Sequence, residues 1–402
     1  MTNLLKNSLL FFFSLLIALL IAEGLARLFI DDSNNVKATD NIYKFYEFDS
    51  RLGWKNKSNY QGIFKRKEFE HEVSINSEGM RYKEIQKDKP KNKRRIAVMG
   101  DSFTWGVGVN DFDRFTNIVE ANSDENYEIL NFGVSGYGPL RFLLQLNKVL
   151  EFNPDIILLT FCLGNDFADN VFFRRYGYYG PFTIFNNNPE IEIYGYPLPH
   201  IGEFYNYLDT NIPYLKSFLE SSKLYHLTNL FLRNLNVGKI PNKNGDGGGN
   251  YLYNNQLNYK QSGHLGTDEY QKDIYLPNHS DDAKLYAQDM AAVNKKILSK
   301  INDRLKAKDI NFSIIVAPTK CEYGECFPVI GQRGNINNNA RNLLLNDLND
   351  LGIDYIDPTT SISLNDFYTV DAHWLPSGHK KVANHILQWL SDGASSSFYP
   401  KN

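Results

Sequence analysis

The chain has 402 residues, 42% of them hydrophobic and 22% charged, as in a folded globular protein of one large or two ordinary domains. Its net charge of −3 gives no electrostatic case for a nucleic-acid partner. Aromatic residues reach 14%, supplied almost wholly by Tyr and Phe.

In chain order, the first predicted element is an apolar helix. Ser8 to Ala22 carries no charge, Glu23 and Arg27 interrupt, and the run closes at Ile30. Together these approach the roughly 20 residues that a membrane span needs. Glu23 and Arg27 are four apart and share a helix face near the membrane surface. A cleaved signal peptide is the rival reading, but no small-x-small site with a polar flank follows. Lys6 precedes the run while Asp31 and Asp32 follow it, which orients the remainder of the chain outside the cytoplasm. Residues 31–94 then read as a polar linker followed by a lead-in of short strands and turns. "KDKPKNKRR" (Lys87 to Arg95) reads as an exposed connection.

From Ile96 a regular alternation begins. Strands are predicted at Ile96–Met99, Tyr127–Phe132, Asp155–Phe161, Phe312–Ala317 and Ile353–Asp357. Helices are predicted at Asp113–Ala121, Pro139–Leu150, Asp281–Lys306, Asn338–Leu351 and from Pro376. The strands are nearly continuous apolar runs, as when both faces are covered. Strands separated by helices predict an α/β sandwich around a five-stranded parallel sheet, spanning 95–393. The alternation breaks over about 167–280, read as a long insertion rich in Tyr, Phe and Asn. Its aromatic residues serve either its own core or stacking on sugar rings. Cys321 and Cys326 bracket "EYGE" and read either as a disulfide or as two thiols, and two cysteines alone do not make a zinc site. Cys162 reads as a core residue.

In an open parallel sheet, ligands bind beyond the carboxyl ends of the strands. Here those ends carry Gly100-Asp101-Ser102, then Gly133 to Gly138, then Gly164-Asn165-Asp166, and late in the chain "VDAHWLPSGH" with Asp371, His373 and His379. Serine chemistry needs a hydroxyl, an imidazole to take its proton, a carboxylate to orient the imidazole, and donors for an oxyanion. All are present. Simpler readings stand beside these: a turn serine, an Asx turn at Asn165, or a metal held by Asp371, His373 and His379.

The four blocks "GDSFTWG", "GVSGYG", "LGND" and "DAHW", in this order and at these intervals, resemble the SGNH (GDSL-type) hydrolase superfamily. The stretch "GW…NSEGMRY" (Gly53, Trp54, Asn76 to Tyr82) resembles the lead-in of its membrane-anchored bacterial members. The resemblance implies a flavodoxin-like fold. It implies Ser102 as nucleophile, His373 as base and Asp371 as its carboxylate. The oxyanion donors it implies are the Ser102 N–H, Gly136 and Asn165, with Gly133 as an alternative to Gly136. Most of the superfamily has Asp three residues before His, whereas here the interval is two. That spacing resembles the branch acting in polysaccharide O-acetylation, and it leaves Asp366 and Asp357 as reserve carboxylates. The expectation is a membrane-anchored, extracytoplasmic serine esterase that needs no metal or cofactor and acts on an ester of a small molecule or glycan, with a glycan or glycolipid ester as the favoured class. The alternatives are an O-acyltransferase and a non-catalytic glycan-binding or assembly scaffold.

Overall fold

The structure is a computed structural model that describes residues 2–29, 42–123, 127–170, 174–175, 178–183, 190–193, 281–323 and 339–392. Helix α1 (Thr2–Phe29) contains a 20-residue stretch, Lys6–Leu25, of mean hydropathy 2.3 with none of it buried. At 1.5 Å per residue such a stretch spans about 30 Å, so it is long and apolar enough to cross a bilayer.

Five parallel strands form the central sheet: β5 (Arg94–Gly100), β6 (Tyr127–Gly133), β7 (Ile156–Cys162), β10 (Asn311–Ala317) and β11 (Asp354–Ile356). Their order is β11-β10-β7-β5-β6, with Gly100 in register with Gly133. This is the flavodoxin-like order, whose direction of winding reverses at β5. Beside the sheet lie three pairs of short antiparallel strands: β1 (Tyr46–Asp49) with β2 (Gly53–Asn56), β3 (Tyr60–Lys65) with β4 (Glu70–Ile75), and β8 (Arg174–Arg175) with β9 (Tyr178–Tyr179).

Helices cover both faces, because strands this apolar leave neither face fit for water. On one face α3 (Phe115–Asn122) and α8 (Pro376–Ser391) pack together, burying Val119, Val382 and Ile386 against Ile96 and Val98. On the other, α4 (Pro139–Leu150), α6 (Asp281–Lys306) and α7 (Asn339–Leu351) share a larger core with the lead-in, whose Phe45, Trp54 and Phe64 are fully buried. Two four-residue helices, α2 (Ser102–Trp105) and α5 (Asp166–Asp169), follow directly after β5 and β7.

Two expectations need correction. The helix expected from Asp113 starts at Phe115, because Asp111–Asp113 forms a 3₁₀ turn and Arg114 is extended. Arg114 turns inward there, its Nη2 donating to the Arg81 carbonyl at 2.6 Å. Arg95, read as part of an exposed charge run, is fully buried. Its guanidinium pairs with Glu128 at 2.7 Å and donates to the carbonyls of Lys87, Phe152 and Gln86. Most of the expected 167–280 insertion lies outside the described residues. So does Cys326, and with it the proposed pairing to Cys321.

Candidate active site

Strand β5 ends at Gly100, and Ser102 is the first residue of α2. Asp101 caps that helix, its Oδ1 accepting from Phe103 N at 2.9 Å. The helix ends after one turn at Gly106, whose φ of 85° is the left-handed conformation that glycine adopts without strain. This sharp turn depends on close packing against the sheet. A Cβ on Gly133 would lie 2.4 Å from Trp105 N, and one on Gly100 would lie 2.1 Å from Thr104 Oγ1.

The loop before α8 carries His373 to this turn. His373 Nε2 lies 2.7 Å from Ser102 Oγ, while Nδ1 bonds Asp371 Oδ1. Asp371 Oδ1 also accepts from the His373 backbone N–H at 2.9 Å. Burial alone would raise the Asp371 carboxyl. The His373 ring, its hydrogen bond and Arg66 outweigh burial and hold the carboxyl well below the usual carboxylate range. The contact of Ser102 Oγ with Asp101 Oδ2 is 3.5 Å, long beside the bond to His373. The loop is anchored by Trp374, fully buried against Phe103, Phe115 and His379, and by the Phe367–Trp374 bridge.

The reserve residues are engaged elsewhere. Asp366 caps a turn with Ser363 and pairs with Lys381 at 2.6 Å, and Asp357 pairs with Arg341. His379 is buried, stacks on Phe115, and accepts from the Phe115 N–H at 3.4 Å. Among the described residues, no group of three His, Cys, Asp or Glu side chains is arranged to hold a metal ion.

The three expected oxyanion donors follow β5, β6 and β7, the three adjacent strands at the point where the winding reverses. Gly133 N–H is engaged by Asn131 Oδ1 at 2.9 Å. The N–H groups of Ser102 and Gly136, by contrast, meet no acceptor among the described residues. Gly136 has a φ of 76°. Asn165 differs from these two, since its Nδ2 donates to Asp169 Oδ2 at 2.6 Å and Asp166 Oδ1 at 3.1 Å.

Residues 98–206 match the model of the GDSL-like Lipase/Acylhydrolase family. The matched segment contains Ser102, Gly136 and Asn165 and stops before Asp371 and His373. Among solved structures, an acetyl xylan esterase is 13% identical, covering 74% of this chain and 98% of that chain at a TM-score of 0.35. A GDSL-like lipase from Bacteroides thetaiotaomicron is 10% identical, covering 77% and 92% at a TM-score of 0.35. A lipolytic G-D-S-L family member from Veillonella parvula is 11% identical, covering 74% and 98% at a TM-score of 0.34. No curated protein matches the chain by sequence.

The lead-in braces both glycine loops, the one after β5 and the one after β6. Trp54 Nε1 donates to the Ser135 carbonyl at 3.0 Å, next to Gly136, and Tyr137 Oη donates to the Trp54 carbonyl at 2.5 Å. The Asn56 amide donates to the Gly133 carbonyl at 3.1 Å and accepts from Trp105 Nε1 at 3.1 Å. Buried Arg81 collects the carbonyls of Gly106 (2.6 Å) and Val109 (2.7 Å), and His71 Nε2 accepts from Gly108 N at 3.2 Å. Two residues that sequence reasoning missed come from the turn between β3 and β4. Arg66 Nη1 lies 2.6 Å from Asp371 Oδ2. Glu68 Oε2 accepts from the backbone N–H groups of Val370 (2.9 Å) and Asp371 (2.5 Å). They stand some three hundred positions from Asp371, and no local pattern signals the pairing.

Proposed function

We propose that this protein is a serine esterase that works through an acyl-serine intermediate. The observation that carries the reading is the 2.7 Å approach of His373 Nε2 to Ser102 Oγ with Asp371 behind the ring. In this reading His373 takes the Oγ proton as Ser102 attacks the acyl carbonyl carbon. Asp371 fixes the tautomer that leaves Nε2 free to accept, and it stabilises the imidazolium. The oxyanion that forms on the carbonyl oxygen is met by the N–H groups of Ser102 and Gly136. The Asn165 amide joins them by exchanging its longer bond to Asp166. The intermediate collapses, the C–O bond to the alcohol breaks, and the alcohol leaves with the proton from His373. Water, giving a proton to the same imidazole, then attacks the acyl carbon; the bond from that carbon to Ser102 Oγ breaks, Oγ takes the proton back from His373, and the acid leaves. No step requires a metal or cofactor.

The substrate class we infer is an ester of a glycan or glycolipid, met outside the cytoplasm by a domain that α1 anchors to the membrane. The two-residue Asp–His interval supports a second reading, in which a sugar hydroxyl replaces water and the acyl group is transferred. The test is turnover of p-nitrophenyl acetate by the full chain in mild detergent, with and without a sugar acceptor. Nitrophenol release that falls about a thousandfold or more in Ser102→Ala supports the triad. Formation of an acylated sugar selects transfer, and indifference to the acceptor selects hydrolysis. Equal release by wild type and variant rejects the enzyme reading in favour of a scaffold.

A further inference from the structure

Within the Ser102–His373–Asp371 array, Asp371 takes a direct side-chain bond from the lead-in. Its Oδ1 faces His373, and its Oδ2 faces Arg66 at 2.6 Å. The Arg66 guanidinium sits 5.2 Å from the centre of the Phe64 ring and 5.9 Å from that of Phe69, so two side chains of its own hairpin aim it. The hairpin is pinned in turn. Arg66 N donates to the Phe69 carbonyl at 2.9 Å, and Phe69 lies 4.9 Å from Tyr368, whose Oη donates to the Gly108 carbonyl at 2.5 Å. Glu68 meanwhile holds the backbone of Val370 and Asp371.

We propose that Arg66 and Glu68 are positioning residues for the reaction: the tip of the β3–β4 hairpin clamps the carboxylate loop from both side chain and backbone, setting Asp371 against His373. This rests on the reading of Ser102, His373 and Asp371 as the reacting array. A carboxylate on an open loop two residues before its histidine has many rotamers that miss the ring. Fixing both of its oxygens removes that freedom before substrate arrives, which is the preorganisation that proton transfer needs. The guanidinium also opposes the carboxylate's field at the imidazole. Among the described residues, Asp371 bonds the ring, Arg66 and Glu68 bond Asp371, Asp101 lies beside Ser102, and Lys320 bonds the Thr369 carbonyl. Burial, with Asp371 and Glu68 nearby, pushes Tyr368 up to about 12, and burial pushes His379 well below its ordinary value.

The experiment compares full-length wild type with Arg66→Gln, Arg66→Lys, Glu68→Ala and Ser102→Ala in detergent. Turnover of p-nitrophenyl acetate is followed from pH 5 to 9, and the proton shared by His373 and Asp371 is followed by one-dimensional NMR at low temperature. Arg66→Gln should lower kcat by about tenfold to a hundredfold and move the acid limb of kcat/KM to higher pH by about half to one unit, since a positive charge has left the carboxylate. Arg66→Lys should return the limb and part of kcat. Glu68→Ala should lower kcat with the limb moved little, and it serves where an Arg66 variant does not fold. The downfield proton signal should be sharp in wild type and broadened or lost in Arg66→Gln and Glu68→Ala. Wild-type kcat and limb in both folded variants overturn the proposal. So does an equal loss in Arg66→Gln and Arg66→Lys with limb and proton signal unmoved, which is a merely structural effect. If wild type turns over no faster than Ser102→Ala, the esterase reading fails by itself. The proton signal then decides the clamp: its loss in the variants supports it, and its persistence overturns it.

Discussion

Asn165 and Gly136 show how differently two expected donors stand in the same site. The Gly136 N–H has no acceptor among the described residues, so it can meet an oxyanion without giving anything up. The Asn165 amide must leave a carboxylate, and the 2.6 Å bond to Asp169 is the harder one to break. Asn165→Ala should therefore lower kcat by about tenfold to a hundredfold with KM little changed, toward the low end of what one oxyanion donor contributes. Single-turnover kinetics on an ester with a good leaving group would check it. Ser102, Gly136 and Asn165 were legible in type because each closely follows the end of an apolar strand, and Asp371 and His373 because they stand together in one short block. Which of Gly133 and Gly136 keeps a free N–H was not legible. It depends on Asn131, whose side chain takes the Gly133 N–H.

At the scale of elements, the turn from β5 into α2 packs this closely because β5 and its neighbour β6 both end in glycine. Gly133→Ala sets a methyl against the backbone of Trp105 rather than against a side chain that can swing away. It should cost about 2 kcal/mol or more of stability and displace Ser102, measured by urea unfolding and by loss of turnover. The hairpin's His71 carries a pH signature. Burial, and then the Arg81 charge, hold it down at about 3, well below its ordinary 6.5. The folded chain thus keeps His71 neutral where the unfolded chain protonates it. Its contribution is complete above pH 6.5 and is lost as pH falls toward 3, at roughly 1.4 kcal/mol per pH unit. His379, also held neutral by burial, acts in the same direction. Urea midpoints should fall from pH 7.5 to pH 5, and His71→Gln should flatten that slope. An unchanged slope would mean that His71 is not the titrating group.

At the scale of the whole molecule, the sheet and its helices could be read from sequence because buried parallel strands are apolar runs separated along the chain by helices. Charge was the poorer guide. Arg95 looked like surface and is core, since Glu128 and three carbonyls from other segments meet its guanidinium. The lead-in was recognisable as a motif, but its purpose lies in contacts across the fold, from Trp54 to Ser135 and from Arg66 to Asp371. Helix α1 adds an apolar stretch of membrane-spanning length to a domain whose described chemistry lies elsewhere.

The central claim is that Ser102 is activated by His373. Its most direct test is treatment of the full chain with a fluorophosphonate, read by intact mass and peptide mapping. The account predicts one adduct, on Ser102, formed by wild type and slowed at least about a hundredfold in His373→Ala. Labelling of another residue, or equal labelling with and without the imidazole, would contradict it.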